Sequence, residues 1–511
     1  MITILSSCLC LYLLFTLTRF LHKVWWKPIR IQHFLASQGI KGPSYKFLHG
    51  NTKEILKMRM DSTRNPIDLS HHGYIFPIIQ PHTYSWIKIY GKNFLNWYGA
   101  IPQLLISELE LVKEILSNKD GAYRKVKVEG YVKKLVGDGL VTSDGEKWLK
   151  QRKLANHAFH AEGLKGMIPE MIASVEVMLA KWRHHESEEI EVYNEFKVLT
   201  SEIISRTAFG SSYVEGKIIF EMLSKLGVIF SRNNFKIRFP GIGKIFKSQD
   251  DIEAEKIDQT IRDSAVALIK KREEKVKSGE SESYGSDFLG SLVKVHHDVD
   301  KSRRITVDDI IDECKTFYIA GQEPTTSLLS WSILLLATHK EWQERARNEV
   351  LELFGKENPF PEGIARLKTM NLIINETLRL YGPSTNISRR VEREVRLGKL
   401  ILPADIEVHI PPVALHSNPE IWGQDAHLFK PERFAEGVVK ATNDNIMAFM
   451  PFGYGPRTCV GLNFATTEVK IALSMILQRY KFTLSPNYVH SPIQILILQP
   501  RTGLQVMFHK L

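Results

Sequence analysis

The stretch PFGYGPRTCVGLNFA, from Pro451 to Ala465, constrains this chain more than any other. Five glycines and prolines crowd around one cysteine, Cys459, and an apolar pattern with helical spacing follows at once. Gly453, Gly455 and Gly461 have no Cβ, so the backbone there can turn tightly and lie close against a flat ligand. A cysteine at a helix N-terminus faces unpaired N–H groups and the positive end of the helix dipole. Both favour the thiolate, so such a sulfur is a nucleophile or a metal ligand. A lone cysteine in a glycine-rich turn is more often a buried structural residue. Here the full spacing F-x-x-G-x-R-x-C-x-G is met by Phe452, Gly455, Arg457, Cys459 and Gly461.

The other end of the chain constrains location. Met1 to Thr18 carries no charged side chain, which is the short end of a membrane-spanning length. Arg19, Lys23, Lys27 and Arg30 follow, with Trp25 and Trp26 among them. Positive charge after the segment and none before it places the C-terminal side in the cytosol. A cleaved signal peptide would carry a basic start and a small-residue cleavage site, and neither stands out. Residues 1–26 therefore read as an uncleaved anchor. Residues 27–51 read as a linker, broken by Gly42 and Pro43. Residues 52–511 read as one catalytic domain. Four cysteines, Cys8, Cys10, Cys314 and Cys459, give no disulfide framework and suit a reducing compartment. The net charge of +11 is scattered and accompanies no nucleic-acid motif. It fits an anionic membrane surface or an acidic protein partner, and excludes nucleic acid as the expected one.

Within the globular part, helical patterns dominate, with short strand-like runs near 85–107, 395–410 and 493–508. The expected class is mainly α with small β-sheets. Val192 to Asp250 reads as helices broken at Gly210, Gly216 and Pro240. In it, Phe235 to Phe246 mixes bulky apolar and basic residues and suits either a loop dipping into a membrane surface or an ordinary surface loop. Lys271 to Asp287 reads as a solvated loop or frayed helix. Thr306, with Asp309 three residues on, opens a long helix containing Ala320-Gly321-Gln322-Glu323-Pro324-Thr325-Thr326. Trp148 and Arg152 share one helix face. Glu376 and Arg379 pair at i and i+3; Glu344 and Arg347 have the same spacing, but only the first pair lies among apolar residues and so needs buried partners. Arg433, in Pro431–Phe434, is positioned to be one.

The complete signature around Cys459 resembles the haem-binding signature of the cytochromes P450, and the resemblance covers nearly the whole chain. Gln38 to Asn51 resembles the corresponding segment of plant microsomal members of the clan numbered seventy-two. The resemblance implies the cytochrome P450 fold behind an N-terminal transmembrane helix. It implies haem b with Cys459 as axial iron ligand, bound in a loop containing Phe452, Gly455, Arg457 and Gly461. Trp148, Arg152 and Arg457 would hold haem propionates. Arg389 would be a further contact, with Arg390 as the competing choice. Glu376, Arg379 and Arg433 would form a structural triad. Val192 to Asp250 would roof the substrate pocket, and Pro383 to Ile387 would line it.

The family pattern A/G-G-x-D/E-T-T is met by Ala320, Gly321 and Glu323, but Pro324 stands at the first threonine. Glu323 and Thr325 are the expected catalytic groups for proton delivery, Thr325 only if the helix unwinds locally. Pro324 would preserve the helix distortion that the family's threonine makes, without its hydroxyl. The implied activity is a monooxygenase inserting one atom of dioxygen into an apolar molecule such as a terpenoid, steroid or hormone. Electrons would come from NADPH through a membrane-bound cytochrome reductase docking on the cysteine-side face. The implied location is the endoplasmic reticulum membrane, single-pass, with the catalytic domain in the cytosol. Two alternatives stay open: a haem-thiolate isomerase or dehydratase that needs no dioxygen, favoured by Pro324, and a non-catalytic haem protein.

Overall fold

The computed structural model describes residues 2–69, 74–183, 188–233 and 247–511. The proposed membrane-dipping loop, Phe235 to Phe246, lies outside them.

The N-terminal helix Ile2–Leu21 continues through a π turn, His22–Trp26, into the helix Lys27–Ala36. Ile4–Ala36 holds a stretch apolar enough to cross a membrane, of mean hydropathy 1.8 and with none of it buried in the protein. Residues 27–51 are not the plain linker expected. Ile31 and Leu35, one turn apart in Lys27–Ala36, are buried in one cluster with Leu95, Trp97 and Leu104. That apolar pair was masked in the sequence by the basic residues around it. Lys27 pairs with Asp405 at 3.0 Å. Gln38 exchanges two hydrogen bonds with the Ile401 backbone, at 3.0 and 2.6 Å. The Tyr45 hydroxyl donates to the Val24 carbonyl. The chain then crosses Leu95 so closely that a Cβ on Gly42 would meet the Leu95 carbonyl.

A five-stranded sheet lies beside this junction. Asn93–Tyr98 and Ile101–Ile106 form a hairpin, and Ile101–Ile106 runs parallel to Glu407–Ile410. Ile387–Val391 and Tyr123–Arg124 complete it. The strand-like run from 85 is helical up to Tyr90, because Pro81 starts a helix there, and the strand begins at Asn93. The other two runs hold the expected strands, each as a small hairpin followed by a longer strand.

The remainder is helical around one axis, the central helix Val307–Thr338. Its start is the expected capping box: Thr306 N–H donates to Asp309 Oδ2 at 2.9 Å, and Asp309 N–H to Thr306 Oγ1 at 3.1 Å. It lies against the helix Val192–Phe209 so closely that a Cβ on Gly321 would stand 2.5 Å from Ile204. Thr326 and Thr200 share a hydrogen bond of 2.7 Å across that contact. The α-helix runs unbroken through Pro324, which lacks an N–H and whose ring crowds the Ala320 carbonyl. One boundary differs from expectation: the helix Val192–Phe209 ends at Gly210 in the left-handed region (φ 50°), but Gly216 lies inside the next helix, Tyr213–Asn233. The helix Gln249–Lys277 takes in the first part of the stretch read as a solvated loop or frayed helix.

Glu376 and Arg379 lie on the helix Lys368–Tyr381, and both side chains are fully buried. The guanidinium grips the carboxylate through two bonds of 2.7 Å. Its other nitrogen reaches the carbonyls of His416 at 2.9 Å and Ala426 at 2.7 Å. Lys430 N–H adds a bond to Glu376 at 2.9 Å. Arg433 approaches Glu376 only to 3.5 Å and spends its short bonds on the Trp422 and Asp425 carbonyls, at 2.7 and 2.6 Å. The second E-x-x-R pair differs as its context suggested: Arg347 is buried on the carbonyls of Leu477 and Tyr480, but Glu344 is 46% exposed. Glu376→Ala leaves the Arg379 charge buried and unpaired, at a cost of about 3–5 kcal/mol. Soluble yield and haem content of that variant are expected to fall together; a folded, haem-replete but inactive variant would contradict the structural role.

Candidate active site

The Cys459 loop is braced by its own backbone. Gly453 N–H donates to the Met450 carbonyl at 3.0 Å, and Cys459 N–H to the Phe452 carbonyl at 2.9 Å. Gly455 sits at φ 73°, and a Cβ there would collide with the Leu116 carbonyl, so only glycine fits. After Gly461 the helix Leu462–Leu477 begins. Cys459 is solvent-accessible, in a loop whose residues 451–461 are half-buried or exposed. Its sulfur nevertheless feels protein on most sides: burial pushes the thiol up, opposed by the Gly461 N–H and the Arg152 charge.

Trp148 and Arg152 project from the helix Gly145–Ala158. Arg152 donates to the Thr458 carbonyl at 2.6 Å, bracing the residue next to the cysteine. The Arg457 guanidinium lies 4.0 Å above the Trp148 ring, a cation–π contact. Arg457 also donates to Ser143 O at 2.8 Å and pairs with Asp144 at 2.7 Å. Arg389 is buried, and burial together with the Arg457 charge lowers it to about 10. Arg390 is instead half-exposed and tied to Asp405, which separates the two competing arginines.

A further cation was not found from sequence. Burial, Arg389 and Arg457 push the Lys125 ammonium down to about 7, with Asp144 opposing. Nothing in the local run YRKVK distinguishes Lys125 from the exposed Arg124 and Lys127; only the chain's return at Arg389 and Arg457 does. Lys125, Arg389 and Arg457 thus feel one another's charge and that of Asp144, with which Arg457 makes the direct ion pair at 2.7 Å. Buried charges need partners, so this cluster is built for a ligand carrying more than one negative charge.

The central helix contributes a different face. Ala320 is exposed, although every residue from Glu313 to Ile319 is buried. Pro324, one turn on, is half-buried. Thr325 is buried, on a regular helix, so the local unwinding required for it to replace the missing hydroxyl is not present. Glu323 pairs with Lys197 of the helix Val192–Phe209 at 3.3 Å, and Gln322 donates to the Lys197 carbonyl at 3.4 Å. Lys197 was another partner that sequence reading missed.

The sequence profile of the family described as Cytochrome P450 matches residues 78–508. The chain belongs to the cytochrome P450 family. It is 59% identical to the protein named Cytochrome P450 CYP749A22 of Panax ginseng over 508 residues, 99% of this chain and 97% of the relative. It is 41% identical to the 11-oxo-beta-amyrin 30-oxidase of Glycyrrhiza uralensis, over 96% of this chain and 94% of that one. Secologanin synthase 2 of Catharanthus roseus is 38% identical, over 96% and 94%. This cytochrome P450 is a monooxygenase of plant type, resembling the clan numbered seventy-two, and its family carries haem on a cysteine thiolate. The residues present fit that group. An accessible thiol in a braced loop suits the iron, and cations in excess of Asp144 suit the two haem carboxylates. Losing a hydrogen bond to a charged group costs about 1.5–3 kcal/mol. Lys125→Met is therefore expected to speed haem transfer to a scavenging globin roughly ten- to hundredfold; an unchanged transfer rate would remove Lys125 from the site.

Proposed function

We propose that Cys459 is the axial haem ligand and that this cytochrome P450 oxygenates an apolar small molecule of terpenoid, steroid or hormone type. NADPH supplies the electrons through a membrane reductase. The observation that carries this reading is the accessible Cys459 sulfur in a loop fixed by Arg152 and by its own backbone. When bound, thiolate-ligated haem activates dioxygen for cleavage of its O–O bond. Phe452, Gly455 and Gly461 shape the loop around the sulfur. Arg457, Arg389 and Lys125 orient the ligand's carboxylates, with Trp148 supporting Arg457 and Arg152 holding the loop.

On the opposite face, Glu323 carries the proton. Lys197 holds its carboxylate at 3.3 Å, and release of that pair lets Glu323 turn toward Ala320. Pro324 places an apolar ring where its relatives' pattern has a hydroxyl, and a further residue along a helix points about 100° away. Thr325 is thereby left out of the path, and Glu323 with water carries proton delivery alone. The oxidase of 11-oxo-beta-amyrin among the relatives supports a terpenoid-like substrate. The apolar N-terminal helix, followed by Arg19, Lys23, Lys27 and Arg30, supports an endoplasmic reticulum anchor with the catalytic domain in the cytosol.

Isotopically heavy dioxygen supplied to microsomes with reductase, NADPH and a terpenoid panel tests this reading. One heavy atom is expected in the product, with part of the NADPH lost as peroxide, and Pro324→Thr is expected to raise product per NADPH. Product formed without NADPH or dioxygen would replace the oxygenase with an isomerase or dehydratase.

A further inference from the structure

His416 is a buried residue that the activity does not use, set between two parts of the molecule that the activity needs. It closes the short helix Pro412–His416 and is 2% exposed. Its carbonyl accepts from Arg379 Nη1 at 2.9 Å. Its ring makes two contacts of its own. Nε2 accepts the Met450 N–H at 3.2 Å. Nδ1 lies at the end of the helix Lys368–Tyr381, 3.9 Å from where a Gly382 Cβ would stand, where the Arg379 backbone acts on the ring as an acceptor. Since Met450 N–H is a donor, Nε2 must be the unprotonated nitrogen, and the ring proton sits on Nδ1. One neutral tautomer satisfies both contacts. Burial and the Arg379 charge hold the imidazole down at about 3, so that this tautomer persists throughout the neutral range.

Met450 is the residue from which the cysteine loop departs. It is 3% exposed, and its carbonyl accepts the Gly453 N–H that makes the first turn of the loop. Phe452, two residues on, accepts the Cys459 N–H. We infer that His416 is a positioning residue: its ring carries the brace of the Glu376–Arg379 pair to Met450 and so fixes where the Cys459 sulfur lies. The inference rests on Cys459 being the haem ligand.

The test uses full-length holoenzyme in microsomes, reduced and saturated with carbon monoxide. The readout is the lifetime of the thiolate–carbonyl absorbance band on mild warming. Asparagine at 416 keeps a group near Nδ1 for the Arg379 carbonyl but leaves Met450 N–H without an acceptor; glutamine can place its amide oxygen near Nε2. His416→Asn is expected to bind haem but lose the band roughly ten- to hundredfold faster, the consequence of an orphaned buried donor. His416→Gln is expected to restore most of the lifetime. An Asn variant as durable as the wild type, or a Gln variant as labile as the Asn variant, overturns the inference. A wild-type protein with no thiolate–carbonyl band at all would instead refute the ligand assignment beneath it. Should either variant fail to accumulate, amide hydrogen exchange in the wild-type holoenzyme decides. Met450 N–H is expected to exchange as slowly as Cys459 N–H, and rapid exchange of Met450 alone overturns the inference.

Discussion

The fork between Arg379 and Glu376 is the contact on which the site depends. Both side chains are completely buried, which costs several kcal/mol per ion and is tolerable only with every polar atom engaged. The engagement is what matters. Arg379 collects carbonyls from His416, Ala426 and Leu428, and Glu376 collects the Lys430 N–H. One rigid pair thus gathers an irregular stretch that has no ladder of its own to hold it. The cysteine loop leaves from the far side of that stretch, at Met450. A sulfur must be held to a fraction of an ångström to serve as a metal ligand, and a loop of glycines and prolines does not supply such stiffness alone.

The second constraint is electrostatic. Lys125, Arg389 and Arg457 repel one another in a partly buried place, and Asp144 offsets only one of them. Such a cluster destabilises the protein without its ligand and gains from an anion with two carboxylates. The same reasoning explains the Cys459 thiol, which burial pushes up and which a metal would hold deprotonated outright. Binding and charge neutralisation are one event at both places.

What was legible in the sequence was local. The capping box at Thr306, the glycine turns before Cys459 and the Glu376–Arg379 spacing depend on residues a few positions apart, and their contacts follow from backbone geometry. What was hidden was brought together by the fold. Lys125 comes under the charge of Arg389 across some 260 residues of chain, Lys197 meets Glu323 between two helices, and Met450 meets His416 between a loop and a short helix. The helix Lys27–Ala36 was hidden for another reason: only Pro28, Ile31 and Leu35 mark its buried face, too short a pattern to separate from a basic linker. Pro324 was identified as the departure from the family's pattern, but the contacts of its neighbours Gly321 and Thr326 with Val192–Phe209 were not, since the fold brings that helix in.

On the proposed reading, the accessible Cys459 sulfur is what makes this cytochrome P450 a haem-thiolate enzyme. The reduced carbon monoxide spectrum of Cys459→Ala tests it most directly, read beside Cys314→Ala, which removes the buried thiol of the central helix. The account predicts that the thiolate–carbonyl band disappears in the Cys459 variant and survives in the Cys314 variant. A Cys459→Ala protein that keeps the band unchanged would contradict it.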